Sequence, residues 1–265
     1  MTKQLLSTLL LILSFSALEA QNFEVAPTRL DFNLEPGQNG RMQLNIINHA
    51  SSPKDYTINL SDFVVDSLNN VDYKPVGSTQ RTLESWLSIS PTFFTLQPNE
   101  STKIDITIST PAGEEGNATK WGTLFIQEVE EQNEMLAADK STKAGIIINP
   151  SIGVYVIQSP ASGQNESATI SNFRETAQSG TLAADIKNTG DKVLMAKVSL
   201  IVSNLQTAEE NTLEAVEINL LPGVKKTVEL KLPDNMLPGD YSITAVLDYS
   251  PNKDLEGALL DYTVK

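Results

Sequence analysis

The chain has 265 residues, no cysteine, a single histidine and a formal net charge of -14 at pH 7. That length accommodates two domains of immunoglobulin size. The absence of cysteine excludes disulfide staples and thiolate metal sites. So acidic a chain is a poor partner for nucleic acid or anionic lipid, and its scattered carboxylates serve solubility.

The first residues have the pattern of a secretory leader. Lys3 supplies a charge, Leu5 to Leu13 an apolar run, and Ala17-Leu18-Glu19-Ala20 a small-residue end. Residues 1–20 are therefore expected to be a signal peptide cleaved after Ala20. The run is short for a bilayer span and no other segment is apolar for long enough, so no stable membrane anchor is expected.

From Gln21 the chain reads as short strands rich in β-branched and aromatic residues, separated by turns: "FEVAPTRLDF", "RMQLNIINHA" and "KDYTINLSDFVV". A polar hairpin is expected around "DSLNNVDY", followed by "SWLSISPTFFTL", "STKIDITIST" and "KWGTLFIQEVE". Between Glu130 and Lys143 alternation stops and charge accumulates, which predicts an exposed, mobile loop. "AGIIINPSIGVYVIQ" then reads as an unusually apolar strand interrupted by Pro150.

Small and polar residues in "SPASGQNES" mark a linker, placed at 161–167. A first sandwich is thus expected over 21–160 and a second over 168–265. In the second, "LAADIKNTGDKVLMAKVSLIV" matches "MQLNIINHASSPKDYTINL": a strand ending in Asn188 or Asn48, a polar turn, then another strand. "LPGDYSITAVLDY" and "GALLDYTVK" read as a closing hairpin.

One frame is written three times: "LEPGQNGRMQLNI" at 34–46, "LQPNESTKIDITI" at 96–108 and "LLPGVKKTVELKL" at 220–232. Each has Leu, a Pro two places on, then apolar residues at every second position. Proline and the following Gly or Asn make the turn, and strict alternation buries one face of the strand after it. Ile104, Ile106 and Ile108 are expected inside, with Lys103, Asp105 and Thr107 outside. The fold class is all-β: two immunoglobulin-like antiparallel β-sandwiches after a signal peptide.

Catalytic chemistry finds little support. His49, the lone histidine, lies in a polar turn, and no nucleophile elbow accompanies it. Carboxylate pairs such as Asp254 with Glu256, or Glu128 with Glu130, are expected to be solvated surface charge. "DSLNNVD" resembles a calcium loop only loosely, and phosphate-cradling glycine motifs are absent. The triplets at Asn59, Asn99, Asn117 and Asn165 match glycosylation acceptors but carry no functional reading. No enzyme activity, cofactor or metal is expected.

Several stretches taken in order resemble the PapD-like periplasmic chaperones that assemble surface fibres. "VAPTRLDF" is similar to their first strand with its Thr-Arg pair. "WLSISPTFFTLQPNESTKIDITI" and "WGTLFIQEVE" resemble later strands, and "AGIIINPSIGVYVIQSP" the donor strand with the proline that ends the first domain. The resemblance covers about residues 23 to 160. It implies a periplasmic protein that binds exported subunits of surface structures by lending alternating side chains from an edge strand. Carried onto this chain, those donors are Ile146 and Ile148, with Ala144 at the weak end and Ile147 expected in the core. The family holds its client's C-terminal carboxylate with an Arg and a Lys between the domains. Arg29 matches the Arg, whereas the Lys position falls on Gly153. The alternative is a surface or cell-wall protein of the WxL type, whose paired sandwiches bind peptidoglycan and host ligands.

Overall fold

The computed structural model describes residues 22–129 and 150–265. The expected leader, the expected loop at 130–143 and the residues Ala144, Ile146, Ile147 and Ile148 lie outside them. Within them the chain is all-β, with one 3-10 turn at Glu114–Asn117.

The first sandwich contains β1 (Phe23–Ala26), β2 (Arg29–Phe32), β3 (Asn39–Asn48), β4 (Lys54–Val65), β5 (Val71–Lys74), β6 (Leu87–Ser90), β7 (Phe93–Leu96), β8 (Ser101–Ser109), β9 (Lys120–Val129) and β10 (Ser151–Gln158). One sheet runs β1-β3-β8-β6. The other runs β2-β10-β9-β4-β5, with β7 also on β4. The alternation of β8 turns out as its sequence requires: Ile104, Ile106 and Ile108 are fully buried, packed with Leu44, Tyr56, Leu124 and Val154 between the sheets.

The second sandwich contains β11 (Ala168–Glu175), β12 (Thr181–Asn188), β13 (Leu194–Asn204), β14 (Glu210–Thr212), β15 (Val216–Leu220), β16 (Lys225–Lys231), β17 (Gly239–Asp248) and β18 (Glu256–Val264). A three-stranded sheet β11-β12-β16 faces a sheet ordered β14-β13-β17-β18, with β15 on β13. The expected hairpins form: β4 turns into β5 at 66–70, and β17 pairs antiparallel with β18 from Gly239 to Leu247.

The thrice-repeated Leu-x-Pro frame has one physical explanation in all three places. Each frame is gripped by an amide side chain that ends a strand and is 0% exposed: Gln158, Asn48 and Asn188. Gln158 donates from Nε2 to the Leu34 carbonyl (2.7 Å) and accepts the Leu34 N–H (3.2 Å). Asn48 donates from Nδ2 to the Leu96 carbonyl and Asn188 to that of Leu220, both at 3.0 Å. Oδ1 of each asparagine accepts a backbone N–H two residues on, from Ala50 and Gly190. A chain that turns at Leu-x-Pro leaves carbonyls without a ladder partner, and these amides satisfy them inside the protein.

Two features depart from the sequence reading. Ala26 to Arg29 carries the chain from one sheet to the other, and β2 then runs parallel to β10, pairing Arg29 with Tyr155. Glu128 is not solvated surface charge. It is 1% exposed, on the same side of β9 as Leu124 and Ile126, and forms an ion pair with Lys54. Strand parity turns its stem inward at the end of the sandwich, where Lys54 balances the charge. Burial, with Glu128 nearby, pushes the neighbouring Tyr56 hydroxyl up to about 12.

The sandwiches meet across a third apolar cluster, in which Phe63, Trp121 and Ile157 of the first touch Leu221 of the second. Backbone bonds reinforce the contact: Thr227 N–H donates to the Ser67 carbonyl in the β4–β5 turn (2.8 Å). Thr119 Oγ1 donates to the Asp191 carbonyl (2.7 Å) and accepts from Gln164 Nε2 (2.7 Å). The segment read as a linker is therefore tied down by side chains of both sandwiches. Asn165 also accepts the Asp191 N–H through its carbonyl (2.9 Å).

Candidate functional site

The strand switch at β2 creates an edge. β9 pairs with β10 along its full length, Ser151 to Gln158, whereas β2 covers only Tyr155 to Gln158. Among the described residues, Ser151–Val154 has a neighbour on one side alone. An unpaired strand edge presents N–H and C=O groups to any added strand.

Beside this edge lies a cleft between the sandwiches, a cavity of about 190 Å³. Arg29, Phe63, Tyr155 and Ile157 line it from the first sandwich, and Asn219, Leu221 and Lys226 from the second. The walls are mostly apolar, with Phe63 and Tyr155 in edge contact at 5.4 Å between centroids. Phe63 also accepts the indole N–H of Trp121 through its carbonyl (3.1 Å). The Tyr155 hydroxyl faces that of Tyr73 at 3.4 Å. This hydrogen bond, with burial, pushes Tyr73 up to about 12.

The structure thus puts Arg29 in the cleft, as a side chain on β2 opposite Tyr155. Its guanidinium, however, is already engaged: Nε lies 2.8 Å from Asp31 Oδ2 and Nη2 2.9 Å from Asp31 Oδ1. Gly153 faces away from the sandwich core, and a β-carbon there would stand 3.2 Å from Thr123 Cγ2 and 3.5 Å from Phe125. A lysine in that position would press its β-carbon against Thr123 and lie in ordinary contact with Phe125.

Sequence reasoning missed Asn219 and Lys226. Lys226 had a readable signal. It interrupts the apolar series Val224, Val228, Leu230 and Leu232, so parity turns a lysine inward on β16. It is half-buried, and burial holds its ammonium below the usual lysine range. Asn219, on β15, has no such signal.

The other candidates resolve as structural. Asp66 spends its carboxylate on its own turn, accepting from the N–H groups of Leu68 (2.8 Å) and Asn70 (2.9 Å) and from Asn70 Nδ2. His49 pairs with Glu24 at the surface (3.2 Å). Among the described residues, no group of three His, Asp or Glu could hold a metal. No helix among them is long and apolar enough to cross a membrane.

The fold of two linked sandwiches resembles solved structures of fimbrial chaperones and their complexes. A chain from a chaperone–tip adhesin complex of CFA/I fimbriae biogenesis superposes with a TM-score of 0.52 at 14% identity, over 91% of this chain and 98% of that one. The class 5 fimbriae chaperone CfaA gives 0.48 at 15% identity, over 92% and 100%. The CsuC–CsuE pre-assembly complex of Csu pili from Acinetobacter baumannii gives 0.41 at 14%, over 80% and 91%. The likeness to the first of these establishes the PapD-like two-sandwich fold. No protein-family model matches the chain, and no curated protein matches it in sequence.

Proposed function

We propose that this is an exported, periplasmic chaperone-like assembly factor that binds secreted or surface-structure subunits by β-strand addition. The observation that carries the reading is the edge at Ser151–Val154, which is uncovered among the described residues. It lies in the same strand as Tyr155, which lines the cleft. A subunit strand added there gains main-chain hydrogen bonds, and alternate side chains give selectivity. Ile146 and Ile148 are the proposed donors, from the apolar stretch that precedes Pro150 in the sequence. Arg29 stands at the cleft as a further partner-binding residue. The superposed CFA/I chain comes from a chaperone–tip adhesin complex, which supports exported subunits as partners.

Affinity isolation of the tagged protein from the cell envelope tests the reading. Recovery of one secreted structural subunit is expected, and replacing both Ile146 and Ile148 with Lys abolishes its capture while the protein stays folded. Normal capture by the double variant excludes donation from this segment. Recovery of glycan without protein contradicts the chaperone reading.

A further inference from the structure

Gly153 interrupts an aromatic surface on the outer face of the first sandwich. Leu124, Ile126, Val154 and Val156 fill the core, so the odd-numbered neighbours on β9 and β10 face away from it. The register sets Gly153 opposite Phe125, and Tyr155 opposite Thr123. Phe125 meets Tyr73 edge to face, with centroids 4.8 Å apart, and Tyr73 meets Phe63 at 6.5 Å. Phe63 in turn meets Tyr155 at 5.4 Å, so rings from β9, β5, β4 and β10 form one connected surface. The fold covers it incompletely: Tyr73 is 43% exposed and Phe125 is half-buried. Beside these rings Gly153 contributes no side chain, and the strand edge next to it is uncovered among the described residues.

Backbone orientation fixes where an added strand lies. Tyr155 N–H donates to the Thr28 carbonyl on the β2 side (3.0 Å), so Gly153, two residues earlier, turns its N–H and C=O to the open side. A residue paired there stands about 4.8 Å from Gly153, and Phe125 about as far on the other side. With no β-carbon between them, a side chain laid over Gly153 meets the Phe125 ring, and only a long one reaches it. We infer that this notch is a specificity site of the edge, and that it takes an aromatic side chain of the added strand, laid across Gly153 against Phe125 and flanked by Tyr155. Thr123 Cγ2, 3.2 Å from where a β-carbon of residue 153 would stand, forms its floor. The incoming ring extends the existing edge-to-face series, a contact that adds to the area it buries. The inference rests on the strand-addition reading and deepens it: main-chain bonds supply affinity, and the glycine supplies a preference.

The test uses strand peptides of alternating Val and Thr, about ten residues long to match a long strand, acetylated and amidated so that neither end is charged. One central Thr is replaced by Phe or by Ser. Each peptide is titrated into the full mature chain while NMR follows the Gly153 amide, which reports strand addition, and the ring protons of Phe125 and Tyr73, which report the notch. The Phe peptide is expected to shift both rings and to bind at least about tenfold more tightly than the Ser peptide, the effect of an aromatic contact with its buried area. Phe125→Thr removes the ring but keeps a β-branched residue on the strand, and Gly153→Val fills the notch. Each variant is expected to bring the two peptides within about twofold of each other, with the Ser peptide bound as by the parent. Equal binding of both peptides to the parent, with the Gly153 amide responding, overturns the inference and leaves strand addition standing. A preference for Phe that survives in both variants overturns it as well. A Gly153 amide that responds to neither peptide contradicts strand addition at this edge, and this inference with it.

Discussion

Replacing Asn48 with Ala tests the explanation of the repeated frame. The Asn48 amide donates to the carbonyls of Ser52 (3.0 Å), Leu96 (3.0 Å) and Gln97 (3.2 Å) and accepts the Ala50 N–H (2.9 Å). The Leu96 bond is buried, so losing it strands a carbonyl away from water at about 1–3 kcal/mol. The other three groups are partly accessible and recover hydrogen bonds to solvent, adding about 1 kcal/mol between them. A loss of about 2–4 kcal/mol shifts the urea midpoint by about 1–2 M. Trp86, buried in the core of this sandwich, reports its unfolding by fluorescence. Asn48→Asp is the sharper variant, because at pH 7 it turns a negative charge toward three carbonyls and is expected to cost more than Ala. An Asn48→Asp variant as stable as the parent would refute the clamp.

Three further expectations follow from particular contacts. Gly190→Ala places a β-carbon 2.1 Å from the Asn165 carbonyl oxygen, and such overpacking costs about 1–3 kcal/mol. The variant is expected to be cut within 159–167 by protease before the sandwiches are, and equal resistance to the parent would show that this approach does not fix the sandwiches. Glu166 is held below its ordinary value of 4.5 by Lys192, then by Ser250. Its folded value is the lower one, so its stabilisation is present above about 4.5 and disappears as pH falls through the folded value. Urea unfolding of Glu166→Gln is expected to show a deficit at pH 7 that narrows as the pH falls below about 4.5, and a deficit constant with pH contradicts this. The hydrogen bond to Tyr155, with burial, pushes Tyr73 up to about 12, so Tyr155→Phe is expected to lower the Tyr73 pKa seen by ultraviolet titration, while an unchanged titration would show that the two hydroxyls act independently.

Strand parity carried most of the information in this sequence. The alternation of 103–108 located a buried strand face, and the match of Asn48 with Asn188 located equivalent corners of two sandwiches. The parallel pairing of β2 with β10 was not legible, because four residues of alternating pattern at Arg29–Phe32 fit either sheet and nothing local specifies a partner more than 120 residues away. Polar residues at inward positions were the overlooked signal. Glu128 follows Leu124 and Ile126, Gln158 follows Val154 and Val156, and Lys226 precedes Val228 and Leu230. Glu128 and Gln158 are met by partners from the fold, whereas Lys226 faces the cleft. Only the packing of one sandwich against the other separates these cases.

The central claim is that a partner adds to the uncovered half of β10, and hydrogen exchange on the complex recovered with the tagged protein measures this directly. The N–H groups of Ser151 and Gly153 point to the open side of β10, as that of Tyr155 points to Thr28, and the account predicts that these two amides become strongly protected in the complex while the outer edges at β14 and β18 exchange as in the free protein. Protection at β14 or β18 with none at Ser151–Val154 would contradict it.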